Sequence, residues 1–314
     1  MQVLRHFPSI LAQPCALAIG NFDGLHLGHQ ALLAKLTETA KQQQLKSAVM
    51  TFEPHPREFF TPEQAPTRLA SLREKLERFA DAGVDIVYLC RFDKKFAALS
   101  SEDFIQKILI QSVNAKTVLV GEDFRFGAGR RGGIEDIANA GLQLIGLPQV
   151  NLAEAGIQQR VSSTRVRNAL AAGQLQTAKN LLGRAYSISG KVVRGAKLGR
   201  KLGFPTANVH MRHERPALTG VYAVKLDGLE GVANLGVRPT ISGVPKLLLE
   251  VHLFDFNGDL YGRHVHVEFF QKIRDEMKFD GLPALSAQIA KDVQVARQFF
   301  KDIGKKLNIK NESL

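Results

Sequence analysis

The sequence predicts an α/β protein in two parts: a parallel sheet with helices on its faces, then an antiparallel sheet or barrel with one C-terminal helix. Three observations predict it. Apolar strand-like runs alternate with helical runs through the first half, as in a parallel sheet covered on both sides. Beyond about residue 183, strand-like runs follow one another across Gly- and Pro-containing turns, as in an antiparallel sheet. The 314 residues, 45% apolar and 23% charged, suit two domains that bury their own cores. The expected division is 1–182, 183–307 and a flexible tail over 308–314.

In chain order, Cys15 to Gly20 is an apolar run ending in glycine, and Gln30 to Gln43 is helical. Ala48 to Phe52, Ile86 to Cys90 and Thr117 to Gly121 read as buried strands, separated by helices over Arg68 to Ala82 and Ser101 to Gln111. Ile134 to Ala140 and Leu142 to Leu147 repeat the alternation. In the second half, Ile188 to Val193, Val221 to Leu226, Gly231 to Leu235, Leu247 to Phe254 and His264 to Phe269 read as strands. No helical period intervenes until Ala284 to Lys301, amphipathic through Leu285, Ile289, Val293, Ala296 and Phe300.

Composition excludes several classes. Cys15 and Cys90 are the only cysteines, so disulfides do not organise the fold, and a reducing compartment is expected. No stretch reaches the roughly 18–20 apolar residues of a membrane helix, and Met1 to Pro8 lacks the regions of a signal peptide. The expected location is cytoplasmic. The net charge of +12 invites polyanions. It divides into 21 basic against 17 acidic residues up to residue 182 and 21 against 13 beyond. No run of five or six basic residues occurs and Trp is absent, which favours phosphorylated small molecules over nucleic acid.

Candidate chemistry begins where the first strand runs into Gly20-Asn21-Phe22-Asp23-Gly24-Leu25-His26-Leu27-Gly28-His29. In open α/β sheets ligands sit at the carboxyl ends of strands, and helix N-termini favour anions. Gly24 and Gly28 let backbone approach a phosphate, and His26 and His29 can face the same one. Read alone, the string is equally a tight turn with two surface imidazoles. A metal pair finds no further ligand at suitable spacing. Three more polar loops follow strand ends or open a helix: Phe52-Glu53-Pro54-His55-Pro56-Arg57, Gly121 to Gly133 with Arg125, Arg130 and Arg131, and Ser162-Ser163-Thr164-Arg165-Val166-Arg167. The last is by itself a plain N-cap.

The second half has no Gly-x-x-x-x-Gly-Lys-Ser/Thr loop, which excludes a P-loop kinase. Its stretch Gly195 to Val209 spaces Gly195, Gly199 and Gly203 with Lys197 and other basic residues, followed by Pro205, Thr206 and Asn208. Backbone N–H groups there can wrap a phosphate. Thr206 and Asn208 offer oxygen ligands to a nucleotide-bound Mg²⁺. The alternative is a basic surface hairpin. Strand period sets Glu250 and His252 opposite Leu249, Val251 and Leu253. A carboxylate there can accept a hydroxyl proton. Glu268 has the same local pattern, and either residue can belong to a solvated strand face.

The four motifs of the first half resemble the adenylyltransferase part of bacterial bifunctional riboflavin kinase/FAD synthetases, within the His-x-Gly-His nucleotidyltransferases. The segments Gly203 to Asn208, Gly220 to Ala223, Asn234 to Thr240, Glu250, Asp259 to Gly262 and on to Asp280 are similar to that family's riboflavin kinase part. Together the motifs span about residues 15–300 in order. The resemblance implies a Rossmann-like nucleotidyltransferase domain followed by a six-stranded antiparallel barrel and a C-terminal helix. It implies phosphorylation of riboflavin to FMN, then adenylylation of FMN to FAD with release of pyrophosphate. ATP is co-substrate in both reactions, with Mg²⁺, and no tightly bound redox cofactor is required.

By resemblance, Asn21, Phe22, Asp23, Gly24, His26, Gly28 and His29 hold ATP in the first site, with Ser162, Ser163, Thr164, Arg165 and Arg167 as a second phosphate clamp. Phe52, Pro54, His55, Pro56, Asp123, Phe124, Arg125 and Phe126 receive FMN. The sequence departs from the family pattern where Gly132-Gly133-Ile134 delays the acidic residue to Glu135. In the second site Glu250 is implied as the base, Thr206 and Asn208 as Mg-ATP ligands, and Arg274 with the segment to Phe279 as a flap over the flavin. Expected partners are riboflavin, FMN and ATP, without nucleic acid or membrane, on a monomer or weak homo-oligomer. The alternative reading is a nucleotidyltransferase for another phosphorylated substrate, its second half a non-catalytic flavin-binding module.

Overall fold

The computed structural model describes residues 1–7, 12–154, 157–195, 198–211, 215–238 and 246–311. Chain contacts group Met1–Pro66 with Leu72–Ser163 in one unit, and Thr67–Ser71 with Thr164–Leu314 in a second.

The first unit runs β1 (Gln2–Leu4), β2 (Cys15–Ile19), α1 (Leu27–Gln42), β3 (Lys46–Glu53), α2 (Pro56–Phe60), α3 (Leu72–Asp81), β4 (Ile86–Arg91), α4 (Lys94–Ala97), α5 (Ser101–Asp103), β5 (Ala115–Gly121), α6 (Ile134–Asn139), β6 (Gln143–Leu147) and the hairpin β7 (Asn151–Glu154) and β8 (Ile157–Arg160). Six strands form one parallel sheet in the order β1-β4-β3-β2-β5-β6. All five residues of β2 are buried, because helices cover both faces of the sheet. One core packs Leu17, Met50, Tyr88 and Val118 against Phe104 and Leu109. The other packs Ala16, Val49 and Leu119 against Leu33, Leu36 and Phe79.

The predicted alternation stands, with local corrections. The expected helix over Ser101 to Gln111 becomes π-helical over Phe104–Ser112. There the Val113 N–H donates to the Ile108 carbonyl, and the wider turn sets Phe104, Leu109 and Val113 into one core. Ser100 caps this helix by accepting from the Asp103 N–H at 3.0 Å. The helix expected from Arg68 begins at Leu72. Strand β1 and the hairpin are additions: at three and four residues each, they are too short to show a period.

The division falls within α7 (Ser163–Ala171), after its first residue, and the second unit goes on to α8 (Leu175–Leu182), which ends at Gly183 in the left-handed region (φ 71°). It continues with β9 (Tyr186–Val193), α9 (Leu198–Lys201), β10 (Ala207–His210), β11 (Gly220–Leu226), β12 (Leu229–Arg238), β13 (Lys246–Leu253), β14 (His264–Arg274) and α10 (Leu282–Asn311). The six strands close a barrel in the order β10-β13-β12-β11-β14-β9, antiparallel at every pairing. The sixth strand, β10, lies within the stretch that reads as a basic hairpin, and the short α9 precedes it where no helix was expected. α10 carries on past Asn308, where the sequence suggests a tail. It packs Ala296 and Phe300 onto Val221, Ala223 and Val232 of the barrel.

Phe300 is 5% exposed. Phe300→Ala is therefore expected to destabilise the second unit by about 3 kcal/mol or more, lowering its thermal midpoint in calorimetry by several degrees.

Candidate active sites

In the first unit the chain leaves β2 at Gly20 and reaches α1 through a loop held unusually tightly. Phe22 (φ 51°) and Leu25 (φ 41°) occupy the left-handed region, which is uncommon for bulky side chains, yet both are buried in the core. The Asn21 carbonyl accepts from Lys75 Nζ at 2.9 Å and from Thr51 Oγ1 at 3.3 Å. The Asp23 carbonyl accepts from Ser163 Oγ at 2.8 Å. Tertiary bonds thus hold a backbone that local preference disfavours.

The loop ends in an imidazole pair. His26 is the N-cap of α1, its Nδ1 accepting from the His29 N–H at 3.4 Å. An accepting Nδ1 leaves the neutral ring's proton on Nε2. The His26 and His29 rings stack with centroids 3.7 Å apart and 15° between planes. His29 Nδ1 is buried without a hydrogen-bond partner. Burial, and then the positive charge of His26 and Lys75, hold the His29 pKa well below the usual histidine value. Gly28 lies against the His26 ring: a Cβ there would come within 3.2 Å of it.

Phe52, Pro54, His55 and Pro56 lie at the exit of β3, where His55 caps α2 in a capping box with Glu58. Phe52 belongs to a continuous row of rings, Phe60–Phe59–Phe92–Phe52–Phe96–Phe104–Phe126–Phe124, with successive centroids 5.2–6.1 Å apart. The row joins the β3 exit to Phe124 and Phe126 beyond β5. A cleft of about 720 Å³ opens beside it, lined by Phe7, Pro54, Tyr88, Cys90 and Phe96 among others, within the size range of small-molecule pockets. Asp123 is bonded to Arg160 at 2.6 Å, and Arg125 lies over Gly133.

Ser162 and Ser163 belong to the first unit, and Ser163 begins α7. Thr164, Arg165 and Arg167 belong to the second unit, where Arg167 Nε donates to the Thr67 carbonyl at 2.6 Å.

In the barrel, strand register decides what meets what. Glu250 on β13 lies directly opposite Asn208 on β10 and, on its other side, opposite Asn234 on β12. Glu268 on β14 instead faces Ser187 of β9 and Lys225 of β11. Of the two carboxylates that the sequence leaves open, Glu250 is the one set beside Asn208. Its neighbours Leu249, Val251 and Leu253 are buried, so the predicted alternation holds.

Thr206 precedes β10 and Asn208 is buried within it. Two glycines make room for them. A Cβ at Gly195 would overlap the Asn208 amide, and one at Gly199 would strike the Phe204 carbonyl and lie 3.3 Å from Thr206 Oγ1. These glycines have a steric reason besides any phosphate contact. Gly203 turns the chain in the left-handed region (φ 86°) before Pro205. Lys197, and the Pro239-Thr240 end of the Asn234 to Thr240 motif, lie outside the described residues.

Arg274 is engaged with the C-terminal helix. Its Nε and Nη2 donate to the Asp292 carboxylate at 2.8–3.1 Å, and its Nη1 donates to the Asp275 carbonyl at 2.9 Å. The guanidinium also lies 5.6 Å from the Phe279 ring centroid.

Two family models match this arrangement: FAD synthetase over residues 9–165 and riboflavin kinase over residues 182–300. The chain is 47% identical over 311 residues to a bifunctional riboflavin kinase/FMN adenylyltransferase of Escherichia coli strain K12, covering 96% of this chain and 98% of that one. Proteins of the same description from Haemophilus influenzae (44%, covering 96% and 99%) and Pseudomonas fluorescens (47%, covering 95% and 97%) are similarly close. The chain belongs to the bifunctional riboflavin kinase/FMN adenylyltransferase family. A crystal structure from Streptococcus pneumoniae described as a macrolide-efflux protein shares the fold, with TM-score 0.79 and 31% identity over 95% of this chain and 99% of that one. No helix among the described residues is long and apolar enough to cross a membrane.

Within this family frame, sequence reasoning missed Lys75, a lysine on an amphipathic helix that folding buries to 2% exposure beside Asn21. It also missed Phe59, Phe60, Phe92, Phe96 and Phe104, which are scattered in sequence and meet only in the folded row.

Two outcomes follow. His29 stays neutral in the folded chain, so below about pH 6.5 the unfolded chain binds an extra proton and stability falls with pH. The thermal midpoint should drop more between pH 7.5 and 5.5 in the wild type than in His29→Gln. Gly195→Ala should displace the Asn208 amide and impair only the chemistry of the barrel, as separate assays of the two half-reactions would show.

Proposed function

We propose that the barrel makes FMN from riboflavin and the parallel-sheet unit makes FAD from FMN, with the residues placed above in distinct roles. The reading rests on one observation: the chain carries both an imidazole pair at the N-terminus of α1 and, in a separately folded unit, a carboxylate in register with Asn208.

In the kinase reaction Glu250 takes the proton of the riboflavin 5′-hydroxyl as its oxygen attacks the γ-phosphorus of ATP, and the bond to ADP breaks. Thr206 and Asn208, with glycines Gly195, Gly199 and Gly203 and Pro205 shaping their loop, hold Mg-ATP, as would Lys197. Their hydroxyl and amide oxygens beside a carboxylate are a hard-oxygen donor set, which fits Mg²⁺. Bound there with ATP, Mg²⁺ supplies charge neutralisation for the transferring phosphate. Arg274 and Phe279 border the flavin.

In the adenylyltransferase reaction an FMN phosphate oxygen attacks the α-phosphorus of ATP and pyrophosphate leaves. The nucleophile is already ionised, so the protein's work is alignment and charge stabilisation. His26 and His29 donate to the phosphates from Gly24, Gly28 and the surrounding Asn21-Phe22-Asp23 loop. Ser162, Ser163, Thr164, Arg165 and Arg167 hold the rest of the triphosphate. Phe52, Pro54, His55 and Pro56, with Asp123, Phe124, Arg125 and Phe126, receive FMN, and the phenylalanine row gives its ring system an apolar wall. Neither reaction needs nucleic acid, a redox cofactor or a second copy of the chain. We place both in the cytoplasm, where Cys15 and Cys90 remain thiols.

Purified full-length protein given riboflavin, Mg²⁺ and ATP should yield FMN and then FAD on chromatography. Glu250→Gln should cut FMN formation roughly a hundredfold or more while supplied FMN still becomes FAD. His29→Ala should let FMN accumulate. Unchanged phosphorylation by Glu250→Gln would refute the base assignment, and a folded wild-type protein that leaves riboflavin untouched would refute the whole reading.

A further inference from the structure

The strand that carries Glu250 carries a second polar side chain on the same face, His252, for which the reaction above has no use. Its Nδ1 lies 2.9 Å from the Pro205 carbonyl. A carbonyl oxygen only accepts, so Nδ1 carries the proton and donates. The ring also meets Phe204 edge-on, with centroids 5.5 Å apart. Phe204 and Pro205 form the turn immediately before Thr206.

This turn is braced on its other side by Gly199. The Phe204 N–H donates to the Gly199 carbonyl at 2.8 Å, and the absence of a Cβ on Gly199 lets the Phe204 carbonyl and Thr206 approach. The turn is short, carries a proline, and has no strand partner until Ala207 pairs with Val251. Among the described residues, the hydrogen bond from His252 and the ring contact of His252 with Phe204 tie the stretch between Gly199 and Ala207 to β13.

We propose that His252 is a positioning residue of the kinase site: it ties the Phe204–Thr206 turn to the strand that carries Glu250, so that the oxygens meant for Mg-ATP and the base meant for riboflavin are held in one frame. The proposal rests on the assignment of the barrel as the kinase. His252 touches neither substrate in this scheme. It acts through Pro205 on the placement of Thr206, so its loss shows in nucleotide affinity and leaves riboflavin affinity alone.

The test compares His252→Met, which keeps bulk but cannot donate, with His252→Gln, whose amide N–H can reach the Pro205 carbonyl. Both are made in the full-length chain. In riboflavin phosphorylation, His252→Met should raise KM for Mg-ATP by roughly three- to tenfold, the weight of one net hydrogen bond. KM for riboflavin should stay within twofold, and His252→Gln should recover most of the loss. FMN adenylylation by the same preparations should be unchanged.

An unchanged KM for Mg-ATP in His252→Met would overturn the proposal. So would a parallel rise in KM for riboflavin, or a glutamine variant as impaired as the methionine one. If the methionine variant loses its thermal transition below the assay temperature while the glutamine variant keeps it, the bond holds the fold rather than the nucleotide turn, and the proposal also fails. A wild-type chain that does not phosphorylate riboflavin would instead overturn the kinase assignment.

Discussion

A buried strand must pair the peptide groups on both of its edges, and that demand shapes both units of this protein. In the first, β2 is buried along its whole length and hydrogen-bonded to β3 and β5. Where its pairing stops, the chain has to turn out of the sheet, and the turn carries the Gly20–His29 loop. In the second, closure leaves no free edge, so β13 is held between β10 and β12. A slip of one residue would turn Leu249, Val251 and Leu253 outward and Glu250 inward. The apolar residues thereby determine where the polar ones stand, and Glu250 meets Asn208 as a consequence of burying leucines.

The sites built on these frames differ in electrostatic character. The first gathers imidazoles and a buried lysine around a strained loop. There His29 is kept neutral by burial and by its positive neighbours. The neutral ring offers a hydrogen bond without a fixed cation, while Lys75, bonded to the Asn21 carbonyl, brings a positive charge to the same loop. The second site gathers oxygens: a carboxylate, an amide and a hydroxyl, around which glycines leave room. Phosphoryl transfer to a neutral hydroxyl calls for a base and a cation site, and nucleotidyl transfer to an ionised phosphate calls for neither base nor covalent nucleophile.

Much of this was legible in the sequence because it is local. Alternation of strand and helix, the change of grammar near residue 183, the period that sets Glu250 opposite its apolar neighbours, and the spacing of His26 from His29 are all short-range patterns. They survive folding because sheets and helices preserve them. The missing pieces are those without a local signature. Strands of three or four residues carry too few positions to show a period, as with β1, β7, β8 and β10. The π-helical turns of Phe104–Ser112 follow from what the residues pack against.

By itself the sequence determined the two-part fold and the family, and it singled out the loops proposed to carry the chemistry, because each rests on the order of neighbouring residues. The family resemblance already favoured Glu250 over Glu268; tertiary structure adds that Glu250 is the one opposite Asn208, because β13 pairs with β10. Tertiary structure alone gathered the phenylalanine row, buried Lys75 beside Asn21, and bonded Arg274 to Asp292 and His252 to Pro205. Those contacts join residues distant along the chain, and only the packing of the completed sheet and barrel brings them within reach.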